Sequence, residues 1–214
     1  MGRRKEFFSV KDVEGLQFDN APFSSRFSDL LGERELGGMW IIYGKSGMGK
    51  TRFALELAKE FDRMGEKVLF LSLEMGLSSI LRQEIAAAGI RGGINRITFK
   101  ESLSPEELMT LLKKQRSATM VFVDSVQYWQ QEYDVTFETL LALRRRYPKK
   151  TFVFLSHVEG KEVEGRLAYQ IKRDAMVRLQ VEGFKTILKG RGKGGETGEY
   201  IIWPEGAAKY WLKD

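Results

Sequence analysis

The chain has 214 residues, 43% hydrophobic and 30% charged, enough for one substantial core and too little for two full domains. It holds no cysteine and a single histidine, which excludes disulfide scaffolds, thiolate zinc sites, cysteine nucleophiles and histidine-rich metal centres. Lys and Arg number 35 against 29 Asp and Glu, a net charge of +6 that leans toward polyanionic partners; no apolar run nears the ~18 residues of a membrane span and no signal-peptide stretch is present, so a cytoplasmic protein without membrane contact is expected.

Residues 1–23 are weakly periodic, with Phe7, Phe8, Phe18 and Phe23 irregularly spaced, and predict an extension draped on a core or a protomer-docking arm. Residues 24–214 are expected to form one domain. Met39-Trp40-Ile41-Ile42-Tyr43 is a short apolar run ending in glycines, and Phe53, Leu55, Leu57, Ala58 and Phe61 follow near helical spacing: strand, loop, helix. Gly65 closes that helix, and Val68 to Leu73 supplies a strand of the kind buried on both faces. A helix from about Ser78 to Ala88 precedes a short strand from Arg96 to Phe99. Ser104-Pro105-Glu106-Glu107 combines an N-cap serine, a proline at the first helical position and a capping-box glutamate, so a helix starts there and runs to about Arg116.

Met120 to Asp124 and Thr151 to Ser156 are two further buried strands, separated by a helix carrying Phe137, Leu140, Leu141 and Leu143. Strands alternating with helices predict an α/β fold whose mostly parallel sheet has helices on both faces. The last fifty residues predict antiparallel hairpins instead, with strands at Ala175 to Val181, Phe184 to Lys189, Tyr200 to Trp203 and Ala208 to Leu212. The cations Arg144, Arg145, Arg146, Lys149 and Lys150 suit a solvated helix end and a nucleic-acid face equally.

Gly44-Lys45-Ser46-Gly47-Met48-Gly49-Lys50-Thr51 matches G-x-x-x-x-G-K-[ST] in full, between a predicted strand and a predicted helix. Glycines let successive N–H groups turn onto phosphate oxygens, the helix N-terminus adds its positive dipole end, Lys50 reaches the β- and γ-phosphates, and the Thr51 hydroxyl coordinates magnesium. Asp124, at the carboxyl end of an apolar strand, is the carboxylate expected to hold the magnesium water shell. No Asn/Thr-Lys-x-Asp guanine signature is present, so ATP with Mg2+ is preferred to GTP.

Further segments resemble the RecA/DnaB/RadA superfamily of P-loop ATPases. Leu71-Ser72-Leu73-Glu74-Met75 resembles the strand end of DnaB-type helicases, which implies that Glu74 activates the attacking water. Val121 to Gln127 resembles the Walker B strand of RadA and RecA relatives, and Phe154-Leu155-Ser156-His157-Val158 the next strand, which ends in a γ-phosphate sensor; His157 takes that place. Lys189-Gly190-Arg191 is similar to the Lys-x-Arg pair that DnaB-type proteins project into a neighbour's nucleotide, so Arg191 would be an arginine finger acting in trans, with Lys189 beside it. Arg26 to Leu31 resembles the segment that leads into the P-loop strand of DnaB, and Phe18-Asp19-Asn20-Ala21 resembles the docking motif of recombinase filaments.

The resemblance runs from about Ser24 to the C-terminus and covers a RecA-like motor core. It implies a homo-oligomer, ring or filament, and single-stranded DNA gripped by loops at Gln127 to Asp134 and Val158 to Arg166. There Tyr128 and Trp129 would stack on bases and Lys161, Arg166, Lys172 and Arg173 would meet phosphates, among the acids Glu132, Asp134, Glu159, Glu162 and Glu164. Three functions follow from these residues. The first is a DNA-associated ATPase of replication or recombination, the second a KaiC-like regulatory ATPase on protein partners, and the third a small-molecule P-loop kinase.

Overall fold

The computed structural model describes residues 7–17, 19–189 and 198–212. In chain order the elements are α1 (Val10–Glu14), α2 (Ser25–Leu31), β1 (Gly38–Gly44), α3 (Lys50–Arg63), β2 (Val68–Ser72), α4 (Ser79–Ala87), β3 (Ile97–Lys100) and α5 (Pro105–Leu112). They continue with β4 (Met120–Asp124), α6 (Val126–Tyr133), α7 (Phe137–Arg146), β5 (Thr151–Ser156), β6 (Val158–Glu159) and β7 (Glu162–Val163). The last are α8 (Arg166–Asp174), β8 (Val177–Glu182), β9 (Lys185–Leu188), β10 (Glu199–Ile201) and α9 (Pro204–Trp211).

The predicted α/β architecture is present. One eight-stranded sheet runs β10-β9-β8-β1-β5-β4-β2-β3, parallel from β8 through β3 and antiparallel across β8-β9-β10. β1, β2, β4 and β5 are buried along their whole length because helices cover both faces. On one face Phe53, Leu57 and Phe61 of α3 pack with Phe27 and Leu30 of α2 over Trp40, Phe70 and Phe122. On the other, Leu108, Trp129, Leu140 and Ile171, from four different helices, cover Ile41, Val121 and Phe154. Each such side chain contributes about 1.5–3 kcal/mol through burial, so the central strands and the loops at their carboxyl ends rest on the firmest part of the chain.

The capping box of α5 forms as its sequence requires: Ser104 Oγ accepts from Glu107 N (3.2 Å) and Glu107 Oε2 accepts from Ser104 N (2.8 Å). The helix ends at Leu112, short of Arg116, which has a positive φ of 58°. One expectation is corrected. Ala208 to Trp211 lies in α9, with Leu212 as its C-cap, and not in a strand; Pro204 opens that helix at a position where its missing N–H costs nothing, and five residues are too few to separate the two periods. The antiparallel strands expected near the C-terminus are present as β8-β9-β10, and β8 is in addition a parallel neighbour of β1 reached through α8. Residues 10–14 are helical within the expected N-terminal extension, and residues 25–31, to which no element was assigned from sequence, form α2.

Candidate functional site

β1 carries the phosphate loop to the carboxyl end of the sheet. Gly44 is required by packing there: a Cβ would lie 2.1 Å from the Val181 carbonyl oxygen of β8. Gly49 has φ 96°, a left-handed conformation, and is the N-cap of α3, so no side chain satisfies the first N–H groups of that helix. The first turn of α3 also contains no acidic residue. Unsatisfied donors and a dipole end facing an open cleft are what a phosphate needs.

Lys50 is 7% exposed and its Nζ donates to the Lys45 carbonyl at 3.0 Å. Burial lowers its pKa, opposed by the charges of Asp124 and Glu74. Thr51 Oγ1 donates to Asp124 Oδ2 at 2.8 Å, which joins the last residue of β4 to the start of α3. Asp124 is 2% exposed; burial pushes its carboxyl up to about 6, with Thr51 and Lys50 pulling the other way and Glu74 adding to the rise. These residues fit a divalent ion held by a threonine hydroxyl and, through water, by a strand-end carboxylate. Among the described residues no cluster of three or more His, Asp or Glu is present.

Glu74 follows β2 by two residues. Its Oε2 lies 3.0 Å from His157 Nε2, which follows β5 directly, and accepts from it when that nitrogen carries the proton. The hydrogen bond from His157 holds the Glu74 carboxyl below the usual range, against partial burial and with help from the charges of His157 and Lys50. Leu73 N and Glu74 N both donate to the Asp124 carbonyl (2.7 and 3.0 Å), so the main chain ties the ends of β2 and β4 together.

The cleft, about 550 Å³, is lined by Ser46, Gly47, Gly49, Lys50 and Thr51 together with Glu74 and His157. Four separated stretches of the sequence-predicted site, the phosphate loop, Glu74, Asp124 and His157, therefore converge. Lys189 does not join them: it is exposed directly after β9, its N–H bonded to the Arg178 carbonyl. Arg191 and Phe18 lie outside the described residues. Phe184, Ile202 and Trp203 also line the cleft and were not singled out from sequence. Phe184 and Trp203 meet edge to face at 5.0 Å, Ile202 packs beside Gly49, and Trp203 is 50% exposed. Their only sequence signal is the Gly183-Phe184 turn, both residues at positive φ, which returns the chain toward the P-loop.

The expected DNA loops are folded. Gln127 to Asp134 lies mostly in α6, where Trp129 is fully buried and donates through Nε1 to the Leu103 carbonyl (2.8 Å). It is a core residue and has no face free for a base. Tyr128 is 44% exposed. Val158 to Arg166 forms the β6–β7 hairpin and the start of α8; Glu159, Glu162 and Glu164 are exposed on it, with Glu162 paired to Lys172 at 2.8 Å.

A parallel sheet with a glycine-rich phosphate loop at its carboxyl end, and with carboxylates at the end of β4 and two residues past β2, defines a RecA-type P-loop ATPase domain. The chain belongs to the family described as the DnaB-like helicase C terminal domain, whose model matches residues 27–151, more than half of the chain. It is 31% identical over 114 residues to a DNA repair and recombination protein RadB from Methanosphaera stadtmanae, covering 49% of this chain and 49% of that protein. It thus spans about half the length of the curated relative it matches. Two solved structures share the fold, each with a TM-score of 0.62 over 86% of this chain and 93% of theirs: the flagellar accessory protein FlaH from Methanocaldococcus jannaschii at 14% identity and a KaiC-like protein from Pyrococcus horikoshii at 16%. Among the described residues no helix is long and apolar enough to cross a membrane.

Proposed function

We propose that this chain binds ATP with magnesium and hydrolyses it, as a homo-oligomer that acts with single-stranded DNA. The observation that carries hydrolysis is the Glu74–His157 pair, 3.0 Å apart, in the same cleft as Lys50 and Thr51. Magnesium would be held by Thr51 and, through water, by Asp124, and would neutralise charge on the phosphates. Lys50 supplies a fixed cation to the same oxygens. Glu74, ionised because His157 holds its carboxyl low, orients a water and accepts its proton, and His157 then donates from Nε2 toward the terminal phosphate. Phe184 and Trp203 form an apolar wall against which a purine ring packs.

Glu74→Gln tests this reading. It should keep ATP affinity and lose at least a hundredfold in turnover, within the ~10²–10⁴ range of a positioned base. A variant that hydrolyses normally would end the assignment, and a small-molecule kinase would keep its transfer activity. Arg191, whose Lys-x-Arg setting resembles that of DnaB-type proteins, is proposed as the finger in trans. Arg191→Ala and Lys50→Ala should each be inactive alone and regain part of the turnover when mixed; no regain would exclude a shared site.

For the DNA arm, support comes from the recombination protein to which half of the chain is similar and from the exposed Tyr128, Lys161 and Arg166. A second reading, a regulatory ATPase on protein partners, is favoured by the buried Trp129 and the acidic β6–β7 hairpin, which repels phosphate. Turnover with and without oligo-dT separates them: stimulation and salt-sensitive binding support DNA, and the lack of both supports the switch.

A further inference from the structure

The loops that lead into β2, β4 and β5 meet at the amino end of the sheet, on the side away from the nucleotide cleft. The three strands are neighbours in the order β5-β4-β2, and main chain ties their loops: Thr119 N and Met120 N donate to the Lys67 carbonyl (2.9 and 3.0 Å), and Thr151 N to the Thr119 carbonyl (2.9 Å). Two lysines brace the same junction. Lys67 Nζ donates to the Arg116 carbonyl (2.8 Å) and Lys150 Nζ to Ser117 Oγ (3.0 Å). The Tyr147 hydroxyl donates to the Met109 carbonyl (2.9 Å), which fixes the end of α7 beside α5. Adjacent strands lie about 4.8 Å apart, so the three loops with their side chains form one surface on the order of 20 Å across.

Lys113, Lys114, Arg116, Arg145, Arg146 and Lys149 are exposed on this surface. Residues 64–67, 113–119 and 145–150 hold eight Lys and Arg in all against one carboxylate, Glu66, whose Oε2 accepts from Thr119 Oγ1 (2.5 Å). Among the described residues none of the six exposed cations has an acidic partner or a side-chain hydrogen bond, whereas Arg52, Arg63, Arg144 and Lys172 elsewhere each pair with a carboxylate. The ends of α5 and α7 point to this face, but two helix ends of about half an elementary charge each balance one cation, not six. Arg116 also holds a left-handed backbone, φ 58°, where glycine is favoured, so a cation is presented from a turn that a smaller residue would form at lower cost.

We propose that this face binds the phosphate backbone of duplex nucleic acid without reading its sequence. A duplex carries one negative charge per ~1.7 Å of axis, so a surface of this width meets several phosphates of each strand, and the exposed cations neutralise about four to six of them. A single strand needs rings for its bases to stack on. Tyr147 is half-buried, its hydroxyl is engaged and its ring lies between Arg146 and Lys150, and no large apolar side chain of the three loops is exposed. The same lack disfavours a membrane, where apolar groups anchor beside the basic ones. Glu74, Asp124 and His157 lie at the opposite ends of these strands, so this face stands apart from the ATP chemistry and from the loops after β4 and β5.

Fluorescence anisotropy of the full chain with a labelled duplex of about 20 base pairs, titrated across ~50–300 mM NaCl, tests it beside oligo-dT of equal length, a poly-Glu peptide and phosphatidylserine vesicles. The duplex should bind saturably, with log K falling by about four to five per unit of log salt and equally for unrelated sequences. Lys114→Glu and Lys149→Glu should each weaken it roughly tenfold at ~100 mM salt, and Arg116→Ala and Arg146→Ala should each reduce the slope by about one. ATP turnover without DNA should stay at the parent level in all four. Bound duplex should also protect Lys113, Lys114 and Lys149 from acylation by an N-hydroxysuccinimide ester. No saturable binding at ~50 mM salt, an affinity insensitive to these substitutions, or tighter binding of oligo-dT, the poly-Glu peptide or the vesicles would overturn the proposal. So would loss of the duplex on Lys161→Ala or Arg166→Ala but not on Lys114→Glu, since the loops at the carboxyl ends would then hold it.

Discussion

Asp124→Asn exposes the conflict between stability and function at the candidate metal site. In the ligand-free chain Asp124 is 2% exposed, and burial raises its carboxyl from 3.8 to about 6. A folded-state value above the unfolded one makes the ionised form destabilising. Its cost is absent below 3.8, grows as pH rises through the window up to about 6, and is constant beyond it. A rise of about two pKa units corresponds to roughly 3 kcal/mol at pH 7.5, about half of that at pH 5 and below ~1 kcal/mol at pH 4. Asparagine keeps the shape and the acceptor for Thr51 and removes the charge. Ligand-free Asp124→Asn should therefore resist urea better than the parent at pH 7.5, by up to about 3 kcal/mol, with a gap that closes in acid. Mg·ATP should reverse the order, because ligand binding stabilises the parent and the variant lacks the carboxylate. A variant less stable than the parent at pH 7.5, or a gap that does not change with pH, would refute the reasoning.

Two further substitutions separate core from site. Trp129→Ala removes a fully buried ring and strands the Leu103 carbonyl, so urea unfolding should show a loss of about 3–5 kcal/mol with no selective loss of oligo-dT affinity. Weakened DNA binding at unchanged stability would return this residue to a nucleic-acid role. Trp203→Ala should weaken ATP roughly three- to tenfold with little change in maximal turnover, as for a group that packs on the base equally before and during reaction. Unaltered ATP affinity in a binding titration would remove the purine wall.

The parts of the fold legible in the sequence are those where one local signal dominates. The apolar runs at Met39, Val68, Met120 and Thr151 are strands because nothing but a doubly covered sheet buries them, and Ser104-Pro105 starts a helix because proline and capping serine agree. The positions of the candidates Lys50, Thr51, Asp124, Glu74 and His157 were legible for the same reason: each sits within two residues of the carboxyl end of such a strand or of the phosphate loop. Where tertiary packing decides, sequence reasoning failed. Residues 126–133 look polar enough for a loop, yet Val126 and Trp129 face the core and fold the segment into a helix. Phe184, Ile202 and Trp203 reach the cleft only because β9 and β10 fold back beside the P-loop, a long-range consequence without a local motif.

The spacing of the groups proposed to act in catalysis is set by main chain, which makes their side chains separable. β2 and β4 are in register at Ser72 and Asp124, and the two N–H groups beyond β2 both bond the Asp124 carbonyl. The turn that follows is closed by Gly76 N to the Ser72 carbonyl (3.0 Å) and Ser72 Oγ to the Gly76 carbonyl (3.1 Å). None of these bonds uses a carboxylate, so Glu74→Gln leaves residue 74 where it was. The electrostatic coupling is lost instead: the Glu74 charge helps raise Asp124, so without it the Asp124 carboxyl falls below about 6. Mg·ATP affinity, which declines as Asp124 takes up its proton, should then persist to lower pH in Glu74→Gln than in the parent. Titrations of Mg·ATP across the acid range decide it. An acid limb that stays in place, or moves to higher pH, would mean that the two carboxylates do not sense each other and that the cleft is not the shared site drawn here.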